Sequence, residues 1–424
     1  MNIPETLNIL PSTTLRGTIS LPASKSLSNR ALLISALCAD PNRERPKIQN
    51  LADCDDTRVM REALATLPPV IDIGAAGTAM RFLTAYLAVT PGSHIITGTE
   101  RMRHRPIGIL VDALRMLGAQ VDYEGAQGFP PLRITGQTLR GGTLQMAGDV
   151  SSQYVSALLM IGPVLSNGLT LELRGDVVSR PYIEMTISLM RTFGARVEWL
   201  DGQTICVNAG GYRPTEYRVE NDWSAASYWY EMMALSSDEM AEICLPGLQK
   251  ESLQGDSAVR EMFQGLGVRT DFVTQDGGCE VVRLTRSRER VACLELDFTH
   301  QPDLAQALVV SCALSGVPFR FTGLQSLRIK ETDRIHALSA ELRRLGYVIG
   351  DEDDSVLFWT GERCARETLP SICTYEDHRM AMAFAPACLA VGPLCINRPE
   401  VVSKSYPQFW QHLEAIGFKL RPPF

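Results

Sequence analysis

Along the chain, apolar positions recur with a helical period that is cut short by glycine and then gives way to alternation or a β-branched run. The theme appears in DALRMLGAQVDY from Asp112, SLMRTFGARVEW from Ser188, REMFQGLGVRTDF from Arg260, AELRRLGYVIG from Ala340 and HLEAIGFKL from His412. Each copy predicts an amphipathic helix, a stop and a strand, with Gly118, Gly194, Gly267, Gly346 and Gly417 at the left-handed position past the helix end. REALATLPPVIDI, from Arg61, is a degenerate copy that ends in prolines instead. Six copies in 424 residues imply a unit of roughly 70 residues, too long for a solenoid repeat and suited to a small βαβ-rich subdomain. The simplest division is two α/β domains of three units, each about 200 residues and within the usual size of one core. SQYVSALLMIGPVL and FAPACLA are apolar on every face, as buried helices are. MAMAFAPACLAVGPLCI, at 380–396, is broken by two prolines and a glycine; it predicts a buried helix and a strand, not a membrane span.

A second pattern lies on the first: polar or charged clusters stand at the N-terminal ends of apolar helices. SKSLSNRALLISALCA puts Lys25, Ser26 and Arg30 where one serine cap would suffice, and a cation there opposes the helix dipole unless an anion sits in front. IDIGAAGTAMRF predicts a strand, a glycine turn and a helix whose first amides, at Gly77 and Thr78, can approach a phosphate or carboxylate, with Arg81 one turn on. In TERMRHRPIG, Arg101, Arg103 and Arg105 alternate; an extended segment would put them on one face, able to grip a single anion. Ser151, Ser152 and Gln153 head another apolar helix, and Ser179 precedes a proline as a plain cap would. The second half supplies Asp303 at a helix head, the cluster Lys330, Glu331, Asp333 and Arg334, then Asp377, His378, Arg379 and Lys404. Singly, each reads as a cap or a surface ion pair. Together they predict a preorganised cationic cage for two small polyanions, with Asp303 and Glu331 as acid/base groups among the cations.

Composition narrows the chemistry. A formal net charge of −7 and a pI near 5.5 argue against nucleic-acid or membrane-surface partners. Eleven cysteines stand singly and six histidines are dispersed, so neither a disulfide framework nor a metal site is expected. No Walker A or GxGxxG sequence supports nucleotide binding. The N-terminal stretch shows no leader pattern, which makes the cytoplasm the expected location.

SKSLSNR, GTAMR, DVSSQ, RIKETDR, EDHRMAM and SKSYP, in this order and over nearly the whole chain, resemble the 5-enolpyruvylshikimate 3-phosphate (EPSP) synthase family of enolpyruvyl transferases. The resemblance implies an α/β fold of two similar domains, each an inside-out α/β barrel of three βαβαββ units. Residues 1–20 and 222–424 would form a discontinuous C-terminal-type domain carrying the acid/base carboxylates. Residues 21–221 would form an N-terminal-type domain carrying most contacts to shikimate 3-phosphate, with the active site in the cleft between the two. By the same resemblance, Lys25, Ser26, Arg30, Ser151, Ser152, Gln153, Ser179, Tyr182, Asp303, Ser326 and Lys330 would hold shikimate 3-phosphate. Lys25, the Gly77 backbone, Arg101, Gln153, Arg334, Arg379 and Lys404 would hold phosphoenolpyruvate. Asp303 is expected as the base toward the attacking 5-hydroxyl, and Glu331, with Lys25, as the donor to the methylene carbon. No cofactor or metal is implied, and the partners are the two small substrates of a monomeric enzyme. Ala75, Phe82 and Ser326 stand where the family usually has Asn, Pro and Asn, which leaves glyphosate sensitivity open. The sister transferase acting on UDP-N-acetylglucosamine relies on a cysteine in a basic loop; Cys38, Cys54 and Cys206 lie in no such loop. A catalytically silent anion-binding protein of the same fold is the remaining alternative.

Overall fold

At all six stops the backbone turns left-handed. Gly118, Gly194, Gly267, Gly346 and Gly417 have φ of 96°, 81°, 79°, 94° and 97°. In the degenerate copy Leu67 itself takes the position, with φ 42° and ψ 59°, directly before the two prolines. A side chain there costs roughly 1–2 kcal/mol, which glycine avoids. The computed structural model describes residues 5–38, 46–275 and 279–421. The chain forms two compact units, one from the segment up to Pro22 together with the segment from Glu220 onward, the other from Ala23 to Val219.

Within the Ala23–Val219 unit the repeat is explicit. Strand Val70–Asp72 runs parallel to Gly92–Thr97 through helix Gly77–Val89. Helix Gly108–Met116 then leads into Gln120–Tyr123, and strand Leu132–Gly136 returns antiparallel to Gly92–Thr97, completing βαβαββ. Strands Gly142–Ala147, Leu169–Arg174, Val197–Trp199 and Thr204–Val207 repeat this order around helices Ser152–Ile161 and Arg180–Thr192. The third set is shorter among the described residues: the parallel pair Ile48–Gln49 and Tyr217–Arg218, with helices Lys25–Leu37 and Asp55–Thr66.

In each set the first helix packs inward. Lys25–Leu37, Gly77–Val89 and Ser152–Ile161 contact one another. Ser152–Ile161 is buried on every face but that of Gln153, so protein must surround it, which puts the sheets and the amphipathic second helices outside.

The other unit follows the same plan with inner helices Trp223–Leu235, Ala305–Ser315 and His378–Phe384. Its three four-stranded sheets show two irregularities of chain order. Glu242–Pro246 takes as parallel partner Arg16–Thr18, so the whole Ala23–Val219 unit is inserted in that crossover. The last sheet is completed by the early strand Thr6–Leu10, between Leu394–Asn397 and Lys419–Arg421, with Ile9 opposite both Leu394 and Leu420. The repeat is therefore circularly permuted within its own unit. The apolar stretch 380–396 lies in helix His378–Phe384, a 3-10 turn Ala385–Ala387, helix Cys388–Val391 and strand Leu394–Asn397. No helix of the described residues is long and apolar enough to cross a membrane.

One inner helix buries a carboxyl group. Glu231 is fully buried, both its oxygens lack a hydrogen-bond partner, and burial raises its pKa well above the usual range. A carboxyl raised by folding weakens the native state as pH climbs above its unfolded value near 4.5, because the unfolded chain ionises first. Glu231→Met should therefore stabilise the protein by roughly 1–3 kcal/mol at pH 7 and by much less at pH 4, read from thermal unfolding midpoints across that range.

Candidate active site

Arg334 organises the charged cluster of the unit formed by the chain's two ends. It is the first residue of helix Arg334–Arg344, whose cap Asp333 accepts from the His336 amide at 3.0 Å. Arg334 is 1% exposed. Its Nε donates to Asp377 Oδ2 at 2.7 Å, Nη2 to Glu331 Oε2 at 2.9 Å and Nη1 to Asp303 Oδ1 at 3.2 Å. A buried guanidinium left without such partners would cost several kcal/mol, so the three carboxylates are a condition of its being there. Asp377, itself fully buried, also caps helix His378–Phe384 by accepting from the Arg379 amide at 2.9 Å.

The network closes on the proposed acid/base pair. Arg379 Nη2 donates to Asp303 Oδ2 at 2.9 Å and its Nη1 to the Asp303 carbonyl at 3.1 Å. Lys330 Nζ lies 3.6 Å from Asp303 Oδ1, and Lys404 Nζ lies 2.6 Å from Glu331 Oε1. Burial alone would raise the Asp303 pKa, but Arg379, Lys330 and Arg334 more than reverse this and hold it far below the carboxylate range. Arg334 is correspondingly held charged: burial opposes its charge, and Asp377, Glu331 and Asp303 outweigh that. Ser326 sits in the half-buried 3-10 turn Gln325–Ile329 just before Lys330.

In the Ala23–Val219 unit most candidate residues lie at the starts of the inner helices, whereas Ser179 and Tyr182 lie at the start of the outer helix Arg180–Thr192 and Arg101 in the short helix Glu100–Arg103. Ser24, not Ser26, caps Lys25–Leu37, accepting from the Leu27 amide at 3.4 Å. Lys25 Nζ pairs with Asp56 Oδ2 at 3.1 Å, and Asp56 is 3% exposed. Arg30 is buried: Nε donates to Thr186 Oγ1 at 2.7 Å, Nη1 to the Ser26 carbonyl at 3.0 Å, and Nη2 to Ser156 Oγ at 3.2 Å and the Tyr182 carbonyl at 3.3 Å. Burial pushes its pKa down to about 10. Since those four acceptors are neutral, hydrogen bonding is satisfied while the positive charge is not offset by them. Ser151 caps helix Ser152–Ile161, and Gln153 Nε2 donates to Thr78 Oγ1 at 3.2 Å, tying this helix start to that of Gly77–Val89. The latter has no side-chain cap at Ala76.

Three local expectations are corrected. Arg101, Arg103 and Arg105 do not share an extended face, because Glu100–Arg103 is a short helix capped by Thr99; Arg101 and Arg103 are exposed and Arg105 is half-buried. Ser179 is not a side-chain cap: its backbone is left-handed, φ 51°, its hydroxyl makes no cap bond, and the proline follows inside helix Arg180–Thr192. Asp303 does not cap its helix either; it lies in the 3-10 turn Pro302–Leu304, and its carboxylate turns to the cations. The partners Asp56, Thr186 and Ser156 escaped the sequence reading, Thr78 entered it only through its backbone amide, and Asp377 was noted only as one charge among several. Asp56 sits beside Asp55 in a helix first turn, where a carboxylate suits the helix dipole and carries no mark of a distant partner. No group of three or more metal-ligating side chains suited to an ion occurs among the described residues.

Comparison with known proteins bears on this geometry. The family model described as EPSP synthase (3-phosphoshikimate 1-carboxyvinyltransferase) matches residues 9–70 and 65–413. A 3-phosphoshikimate 1-carboxyvinyltransferase of Bacteroides fragilis (strain YCH46) is 56% identical over 407 residues, covering 96% of this chain and 97% of that protein. One from Shewanella halifaxensis is 34% identical over 439 residues, covering 97% and 99%. Among solved structures, an EPSP synthase from Acinetobacter baumannii superposes with a TM-score of 0.76 at 22% identity over 98% of this chain and 99% of that one. The enolpyruvyl transferase NikO from Streptomyces tendae gives 0.75 at 18% identity, covering 99% of each chain. These structures share the two-domain inside-out α/β fold.

The charge network makes stability depend on pH in a definite direction. A carboxylate held below its unfolded pKa contributes stability that is full above about pH 4 and is lost as pH falls toward its folded value. Asp303→Asn should cost on the order of 2 kcal/mol at pH 7, the low side of a broken buried pair because Asp303 remains 21% exposed. The difference in unfolding midpoint between the variant and the native protein should stay level from pH 6 to about pH 4 and shrink as pH falls further toward 2 in calorimetric scans; a difference that stays constant below pH 4 would contradict the depressed pKa.

Proposed function

Because the chain belongs to the EPSP synthase family, we propose that it transfers the enolpyruvyl group of phosphoenolpyruvate to the 5-hydroxyl of shikimate 3-phosphate and releases phosphate. The observation that carries this reading is the sharing of Arg334 by Asp303 and Glu331 inside a cluster with Arg379, Lys330 and Lys404. It sets two carboxylates among four cations, the composition that acid/base work on polyanions requires.

Both units supply residues. Lys25, Ser26, Arg30, Ser151, Ser152, Gln153, Ser179, Tyr182, Ser326 and Lys330 hold shikimate 3-phosphate. Lys25, the Gly77 backbone, Arg101, Gln153, Arg334, Arg379 and Lys404 hold phosphoenolpyruvate. Asp303 removes the 5-hydroxyl proton as that oxygen bonds to C2 of phosphoenolpyruvate, and Glu331, with Lys25, protonates the methylene carbon. The tetrahedral adduct then loses a proton from the new methyl group and expels phosphate, breaking a C–O bond. An Asp303 held by three cations is a weak base; phosphoenolpyruvate supplies anionic oxygens that compete for Arg379 and Arg334, loosening that hold when the substrate is present. The same reading takes the enzyme as a monomer of the cytoplasm.

Phosphate release from phosphoenolpyruvate should depend strictly on shikimate 3-phosphate and should not occur with UDP-N-acetylglucosamine; the reverse dependence would reassign the acceptor. Binding of both ligands without turnover would point to a silent relative. Asp303→Ala and Glu331→Gln should each lower kcat by a factor on the order of 10² or more with substrate affinities largely kept. Lys404→Ala should instead weaken phosphoenolpyruvate binding by roughly 1.5–3 kcal/mol, the scale of a charged hydrogen bond.

A further inference from the structure

Lys330 and Glu331 stand in a segment that packing holds only at its ends. Leu327 before it and Arg334 after it are buried. From Arg328 to Asp333 every residue is half-buried or exposed, and Ile329 is 62% exposed. The ion pairs of the two proposed site residues run from Lys330 to Asp303 and from Glu331 to Arg334 and Lys404. All of these partners belong to the proposed site. Substrate oxygens that draw on Lys330, Arg334 or Lys404 therefore loosen the segment at the moment when Glu331 has to be in place.

Arg328 supplies a hold of a different kind. It lies in the 3-10 turn Gln325–Ile329 and meets three carboxylates, none of them in the proposed site. Its Nη1 donates to Asp333 Oδ2 at 2.9 Å; its Nη2 donates to Asp351 Oδ2 and lies 2.7 Å from Asp354 Oδ1. The pair with Asp333 closes residues 328–333 into a loop with Lys330 and Glu331 inside it. Asp333 also caps helix Arg334–Arg344 through its other oxygen, so one carboxylate joins this loop to the helix that carries Arg334. Asp351 and Asp354 come from the hairpin of strands Gly350–Glu352 and Val356–Trp359. At its turn Asp353 and Asp354 take φ of 50° and 56°, a left-handed conformation that aspartate tolerates better than most side chains. The Leu324 amide donates to the Ser355 carbonyl at 3.0 Å, which ties the 3-10 turn to the same hairpin.

Single exposed ion pairs contribute little stability, and Asp354 is 83% exposed. A planar fork shared by three carboxylates acts on geometry instead, because its donors have fixed directions. We infer that Arg328 is a positioning residue for the proposed proton donor: it holds the segment Lys330–Thr332 against the hairpin, so that Glu331 keeps its place while its own cationic partners engage substrate. The inference rests on the function proposed above.

The experiment is a double-mutant cycle in steady-state kinetics on the native enzyme, Arg328→Gln, Glu331→Gln and the two combined, with Arg328→Lys and thermal unfolding of each alongside. Arg328→Gln should lower kcat about 10-fold and raise the KM for shikimate 3-phosphate through Lys330, while the KM for phosphoenolpyruvate, whose proposed partners lie outside the segment, stays within about twofold. In the Glu331→Gln background the same change should lower kcat by less than about twofold, because the group it positions is gone. Arg328→Lys, which keeps the charge without the fork, should fall between. Asp333→Asn keeps an oxygen for the His336 amide and breaks the pair with Arg328; where Arg328→Gln fails to fold, it takes that place in the cycle with the same expected results. Equal fractional losses of kcat with and without Glu331 overturn the inference, since that pattern belongs to packing, and so does an unchanged kcat. A native protein with no turnover on this substrate pair overturns the proposed function, and the inference with it.

Discussion

A guanidinium with almost no exposure, bound by three carboxylates, is the constraint around which the unit formed by the chain's two ends is arranged. Arg334 cannot be buried unless Asp303, Glu331 and Asp377 come to it, and those residues lie at 31, 3 and 43 positions from it in sequence. Satisfying one side chain therefore fixes the relative placement of the 3-10 turn before helix Ala305–Ser315, the start of helix Arg334–Arg344 and the start of helix His378–Phe384. Arg379 ties the last of these back to Asp303 a second time. Interior packing alone would tolerate small slides of apolar helices past one another, whereas directional charged hydrogen bonds do not.

The inside-out plan explains why polar residues gather at helix starts. An inner helix buried on nearly every face has few places for polar side chains other than its ends, where free backbone groups already require partners. The inner helices accordingly carry many polar residues at their starts: Lys25 after the Ser24 cap, Thr78 after Gly77, Ser152 and Gln153 after Ser151, Asp303 before Ala305–Ser315, and Arg379 after the Asp377 cap, although Ser35, Thr84, Ser156 and Ser311 are buried farther along. Trp223–Leu235 follows the pattern at its cap, where Asp222 accepts from the Ser224 amide at 3.1 Å, and also buries Ser227 and Glu231 farther along.

How far this could be read from the residues varies with the range of the interaction. The glycine stops were legible because a left-handed helix end is a local requirement that glycine meets without a Cβ; Leu67 hid the sixth, since leucine carries no such mark. Inner helices were legible from unbroken apolar runs. The arginines around Arg103 were misread as extended although Thr99 followed by Glu100 is a short-range helix start, and Thr99 Oγ1 does accept from the Met102 amide at 3.3 Å. Ser179 was misread because a serine just ahead of a helix that opens with Arg180 and Pro181 fits a cap equally well. The candidate charges were recognisable as residue types, but their partners were not. Gln153 meets Thr78 across 75 positions and Arg334 meets Asp377 across 43, and no local pattern encodes such a pairing. The permuted sheet was hidden for the same reason: Thr6–Leu10 alternates buried and half-buried positions as any strand does, and only its neighbours show that it completes the last repeat.

The distribution of pairing among the cations carries a mechanistic argument of its own. Arg334, Arg379, Lys330 and Lys404 all meet the two carboxylates proposed for acid/base work. Had they been left unpaired, mutual repulsion and desolvation would have opened the cluster; paired, they stay in position, and Asp303 is kept ionised. A polyanion entering such a cluster does not assemble it, but exchanges partners within it. On the proposed assignment, each substrate oxygen that takes a share of Arg379 weakens the hold on Asp303, the proposed base, and one that takes a share of Lys404 weakens the hold on Glu331 and favours its protonation as the proposed donor. On that assignment preorganisation and activation follow from one set of contacts, in which the proposed pair is held among cations that the substrate's charge draws toward itself.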